Sequence, residues 1–125
     1  MATPKKILLV DDEFAMRHIL KSILNQLDDF LFFEAPNGLE AIKIMMEYRP
    51  DLVFLDVYMP VLSGIETLIR KKAMPDIQDI PVIMCTAEAN PKTVQSVILQ
   101  GAKDYVVKPF TLDIIQDKTR KWLNL

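Results

Sequence analysis

Apolar and polar positions along this chain follow two alternating rhythms. Residues 5–10 (KKILLV) form a brief aliphatic run that reads as a strand buried on both faces, and acids follow at once in Asp11, Asp12 and Glu13. Over 13–27 the spacing lengthens: Ile19, Leu20, Ile23, Leu24 and Leu27 recur at helical intervals, with Arg17, Lys21 and Gln26 elsewhere. The pair then repeats. Residues 30–35 predict a second strand, Asn37 and Gly38 a turn and cap, and 39–48 a helix carrying Leu39, Ile42, Met45 and Met46 and stopped by Pro50. Residues 52–55 predict a third strand ending in Asp56. Ser63 caps a helix bearing Ile65, Leu68 and Ile69, and Pro81 leads into a fourth strand over 82–85, followed directly by Thr86. Pro91 opens a helix running to about residue 100 and Gly101 ends it. Residues 103–107 make a fifth strand, and Thr111 caps a last helix with Leu112, Ile115 and Trp122 inward.

Strict alternation of strand and helix, five times over, implies a parallel sheet covered by helices on both faces and joined by right-handed crossovers, an α/β fold. Only the loop over 72–80, with Pro75 and two aspartates, is an extended connection, and no repeat or low-complexity stretch breaks the pattern. A length of 125 residues suits one domain spanning 1–125, and a hydrophobic share of 50% is enough for a real core.

Charge and cysteine content narrow the function classes. A net charge of -2 without a Lys/Arg cluster gives no field for gripping a phosphate backbone, so direct nucleic-acid binding is not expected. Cys85 is the only cysteine, so there is no internal disulfide or zinc spacing, and a reducing cytoplasmic setting is expected. The leader Met-Ala-Thr-Pro-Lys-Lys runs straight into the first strand, whose apolar run is too short for a signal or membrane segment.

In an open parallel sheet, ligands bind beyond the carboxyl ends of the strands. Four of those ends carry polar residues here: Asp11 and Asp12, then Asp56, Thr86 and Lys108. Three converging carboxylates repel and titrate together unless a cation joins them. Mg²⁺, which takes oxygen ligands and keeps waters, suits a cluster without nitrogen or sulfur donors, and Mn²⁺ is possible in its place. Phosphoryl transfer needs in-line attack and neutralised equatorial charge, so Asp56 is the best placed nucleophile, with the Thr86 hydroxyl and Lys108 ammonium to hold the transferred group.

Four stretches occur together in order: LLVDDE at 8–13, LVFLDVYMPVLSG at 52–64, IMCTAE at 83–88 and GAKDYVVKPF at 101–110. With them the chain resembles the response-regulator receiver family over essentially its whole length, and within it the chemotaxis CheY-like single-domain type. The resemblance implies a flavodoxin-like (βα)5 sandwich with strand order 2-1-3-4-5. It implies phosphorylation of Asp56 by a histidine kinase or phosphotransfer protein, and Mg²⁺ on Asp12, Asp56 and the Tyr58 main-chain carbonyl, with Asp11 acting mainly through water. It further implies a hydroxyl role for Thr86, a phosphate contact for Lys108, a cis Lys108–Pro109 bond and a switch role for Tyr105. Phosphate then remodels the face of the fourth helix, fifth strand and fifth helix, where a downstream protein binds. Such a chain is no ordinary enzyme, though it assists its own phosphorylation and dephosphorylation. Tyr58, two residues after the acceptor, and Glu88, two after Thr86, should flank an attacking water and tune phosphate lifetime.

Plainer roles exist for each residue. Asp11 and Asp12 suit a helix cap, Tyr105 a strand position with a wet hydroxyl, Cys85 a small core residue, His18 a solvated helix position, and the methionines core filler. A receiver excised from a larger DNA-binding or enzymatic regulator is the near alternative, and the ending at Trp122-Leu-Asn-Leu favours stand-alone use. A phosphatase with an aspartyl-phosphate intermediate would want an acid where Tyr58 stands, and a flavodoxin-like cofactor carrier would want a Gly/Ser/Thr loop after the first strand.

Overall fold

The computed structural model describes residues 3–88 and 90–125, so the opening Met1 and Ala2 of the leader lie outside the described residues. Five strand–helix pairs follow in order: β1 (Lys6–Val10), α1 (Phe14–Asn25), β2 (Leu31–Ala35), α2 (Gly38–Tyr48), β3 (Leu52–Asp56), α3 (Gly64–Lys72), β4 (Val82–Thr86), α4 (Pro91–Leu99), β5 (Asp104–Val107) and α5 (Leu112–Leu123). The strands form one parallel sheet in the order β2-β1-β3-β4-β5. This is the doubly wound (βα)5 fold expected from the alternation.

The central strands are apolar on both faces because each face has its own layer of helices. Leu8, Val10, Val53, Leu55, Val82 and Met84 join α2, α3 and α4 residues such as Ala41, Met45, Leu68 and Val97 in one core. The alternate positions, Ile7, Leu9, Leu52, Phe54, Ile83 and Cys85, join Leu20, Leu24, Ile115 and Leu123 of α1 and α5 in the other. Each such side chain taken fully out of water contributes about 1.5–3 kcal/mol, which fixes strand register since a one-residue slip would exchange the two cores.

Helix starts follow the expected chemistry in part. Asn37, Ser63 and Asn90 each accept a hydrogen bond from a backbone N–H in the first turn of the helix that follows. Thr111 stands at the start of α5 but makes no side-chain cap bond. Several stripe positions are corrected: Ile19, Leu39, Met46, Ile69 and Leu112 are exposed rather than inward. Helical spacing marks a broad apolar stripe, and residues on its flanks reach solvent when the sheet covers only the middle. Among the described residues no helix is long and apolar enough to cross a membrane.

Candidate functional site

The sheet reverses its winding between β1 and β3, and the acids stand at the ends of those two strands. Asp11 is buried just beyond β1, Asp12 beside it is exposed, and Asp56 is the buried last residue of β3. One carboxylate oxygen from each lies within 4.8 Å of the others. Asp11 is held from both sides: its N–H donates to Ala35 O at 3.1 Å, and Arg17 Nη1 donates to its carbonyl at 2.6 Å. Its Oδ1 accepts from Glu13 N at 2.9 Å, shaping the turn into α1, whose cap position is held by Glu13 rather than by Asp11 or Asp12, and Oδ2 remains for the site.

That second oxygen accepts from Lys108 Nζ at 2.9 Å, and the same ammonium lies 3.4 Å from Asp56 Oδ1. Lys108 is aimed there by its backbone, whose N–H donates to Thr86 O at 2.8 Å, and the Lys108–Pro109 bond is cis. Burial, reinforced by the Asp11 charge, pushes the Asp56 carboxyl up to about 6 against the pull of Lys108. Burial works against the Lys108 charge, but the hydrogen bond to Asp11 and the two carboxylate charges outweigh it and hold the ammonium above its ordinary value. Cys85, paired across the sheet with Asp56, is wholly buried; burial and the Asp56 charge push its thiol far up, which fits a core residue rather than a redox group.

Three carboxylates facing one ammonium leave two uncompensated negative charges when all are ionised. The donors are all oxygen, and a divalent cation would neutralise the excess, so the residues fit a hard divalent metal ion.

The remaining expected residues surround this cluster unevenly. Thr86 ends β4, buried, with its hydroxyl donating to Glu88 O at 2.9 Å and accepting from Glu88 N at 3.1 Å, so its own loop engages it. Tyr58 is 62% exposed and Glu88 is also exposed. Tyr105 is half-buried on β5, packed against the core on the α2, α3 and α4 face. His18 is exposed on α1, stacked on Phe14, as a solvated helix residue would be. Gly64 opens α3 where a Cβ would run into Asp56 O, so only glycine lets that helix approach the β3 end this closely.

Two contributions escaped the sequence reading. Arg17 braces the site by bonding Asp11 O while its Nε pairs with Glu34 at 3.0 Å, an acid far along the chain. Asp104 joins β5 to α5 through Lys118 and Trp122. The available signal was only a charged residue on an otherwise apolar strand.

Comparison with known proteins agrees with this geometry. Residues 7–120 match the response regulator receiver domain model. The chain is 40% identical to chemotaxis protein CheY of Listeria monocytogenes, covering 93% of this chain and 96% of that one. It is 39% identical to sporulation initiation phosphotransferase F of Bacillus subtilis, covering 97% and 95%. Among solved structures, chemotaxis response regulator CheY4 of Vibrio cholerae superposes with a TM-score of 0.88 at 28% identity, covering 97% of this chain and all of that one. The Mn²⁺-bound form of response regulator Rcp1 gives 0.83 at 28% identity, covering 96% and 95%. The chain belongs to the response regulator receiver domain family.

Proposed function

We propose that Asp56 is the phosphoryl acceptor of this receiver, and that the chain works as one switch unit fed by a histidine kinase or phosphotransfer protein. The observation that carries the reading is the Lys108 ammonium set between Asp11 and Asp56, which leaves the acceptor carboxylate beside a fixed positive charge. An Asp56 oxygen attacks the phosphorus in line; the new P–O bond makes an acyl phosphate as the donor P–N bond breaks and its electron pair returns to the imidazole. Lys108 meets the charge on the transferred group, and Thr86 releases Glu88 O to reach it. Asp12, Asp56 and the Tyr58 carbonyl would hold Mg²⁺, or Mn²⁺ in its place, and Asp11 would contribute mainly through water. When bound, the metal neutralises the carboxylate excess so that an anionic phosphoryl group approaches.

Tyr105 then turns further inward and changes the face of α4, β5 and α5, where a downstream protein binds. Exposed Ile98, Leu99, Val107 and Ile114 give that face its apolar character. Tyr58 and Glu88, both exposed beside the acceptor loops, set how readily water reaches the acyl phosphate. Their test is the rate of phosphate loss in Tyr58→Ala and Glu88→Ala; unchanged rates in both sink the tuning role.

Incubation with acetyl phosphate and Mg²⁺ followed by intact mass tests the main reading. A stoichiometric, base-labile gain of one phosphoryl group is expected, lost in Asp56→Asn and without added metal. A gain that persists in Asp56→Asn places the acceptor elsewhere, and steady turnover of phosphomonoesters would support a phosphatase.

A further inference from the structure

One carboxylate at the start of β5 gathers three donors from two elements. Asp104 Oδ1 accepts from Lys118 Nζ at 2.6 Å and from Tyr105 N at 2.9 Å, and Oδ2 accepts from Trp122 Nε1 at 3.1 Å. Burial alone would raise this acid, yet the bond from Lys118 and then those from Trp122 and Tyr105 hold its carboxyl below the usual range. The anchored Lys118 ammonium lies 5.7 Å from the centroid of the Tyr105 ring, within cation–π reach. Beside the ring, Tyr105, Val106, Val107, Ile114 and Lys118 line an open cavity of about 260 Å³.

From this arrangement we infer that Asp104 and Lys118 form a clasp that holds the Tyr105 ring in its half-buried position and thereby sets how much phosphoryl group is needed to switch the domain. The inference rests on the proposed role of Tyr105. A ring that turns further inward leaves Lys118 behind, because the Asp104 carboxylate and the α5 backbone fix the ammonium in place. The lost ring–cation attraction penalises the inward state, and a ligand that favours that state must overcome the penalty. Asp104 and Lys118 are positioning residues: neither is among the acids of the cluster, and they act on the site only through Tyr105.

The test is a titration with beryllium fluoride, a phosphoryl stand-in, at saturating Mg²⁺, followed by the ¹⁹F signal of bound fluoride. Lys118→Met, which keeps the side-chain length, and Asp104→Asn, whose single carbonyl oxygen keeps the bond from Tyr105 N and gives up the one from Trp122, are compared with wild type. Both are expected to lower the half-saturating concentration by about two- to fivefold, the size of an exposed cation–π contact, with Mg²⁺ affinity unchanged. A structural loss alone would weaken binding or leave it alone, so an unchanged or raised half-saturation in Lys118→Met overturns the clasp. Wild type that takes up no fluoride, or Asp56→Asn that takes it up equally, overturns the acceptor reading instead, and the clasp's role falls with it.

Discussion

Two largely buried lysines stand at opposite ends of the same sheet and meet opposite surroundings. Lys108, beyond the carboxyl end of β5, faces Asp11 and Asp56, and their pull holds its ammonium charged. Lys71, at the end of α3 where the chain turns back toward the start of β4, is 4% exposed and donates to a single carbonyl, Gln78 O, at 2.9 Å. Burial pushes it down to about 8, with the more distant Asp79 only partly offsetting that. One sheet end thus concentrates charge that only further ions satisfy, whereas the other tolerates a lone charge for the sake of a loop carbonyl. The proposed chemistry is placed at the first end because the three acids there exceed the one ammonium that faces them.

The sharpest way to break the contrast is to remove Lys108, the lysine proposed to meet the transferred phosphoryl group. Lys108→Met should slow phosphorylation by acetyl phosphate about 10²- to 10³-fold, the usual cost of deleting one preorganised charge donor. Intact-mass time courses check this. Rates within threefold of wild type would mean that Lys108 only neutralises the resting acids.

The acidic partner gives a smaller effect of opposite sign. Folding raises Asp56 to about 6 from 3.8, so the folded state binds the proton more tightly over that window. Its stabilising contribution is complete below about pH 4 and is lost as pH rises through 6. Asp56→Asn avoids the loss, so without metal at pH 7.5 the variant should be more stable by roughly 1–3 kcal/mol, since each unit is worth about 1.4 kcal/mol. Mg²⁺ at about 100 times its dissociation constant should return roughly 2.7 kcal/mol to wild type and far less to the variant. Urea unfolding with and without Mg²⁺ at pH 4 and 7.5 reads both, and a metal-free wild type as stable as the variant at pH 7.5 contradicts the account.

How far this end of the molecule was legible in the sequence follows from which interactions are local. Strand and helix periods, the Asn37 and Ser63 caps and the acids after β1 and β3 are short-range signals, and they placed the fold and the cluster. The flanks of the helical stripes misled, since Ile69 and Leu112 repeat at the right interval but lie beyond the width of the sheet. Arg17 with Glu34, and Asp104 with Lys118 and Trp122, were invisible because their partners are set by packing between elements. Lys71 was missed for the same reason: a lysine in the run Arg70-Lys71-Lys72 reads as solvated helix end, and only the fold of the following loop buries the middle one.

That middle lysine supplies the gentlest test of the contrast. Because folding lowers Lys71 to about 8 from 10.5, the unfolded chain binds more protons between those values, and stability attributable to this group rises with pH across that window. The opposite sign holds for Lys108, whose raised value makes its contribution fall as pH climbs past the ordinary lysine range. Lys71→Met removes the titration together with the bond to Gln78 O, so its absolute stability mixes two effects, but its pH slope does not. Between pH 7 and 9.5, wild type should gain on the order of 2 kcal/mol relative to Lys71→Met, from about 1.4 kcal/mol for each unit titrated above 8. Parallel urea midpoints for the two proteins over that range would mean that Lys71 is solvated in solution, and the difference between the two sheet ends would then reduce to the acids alone.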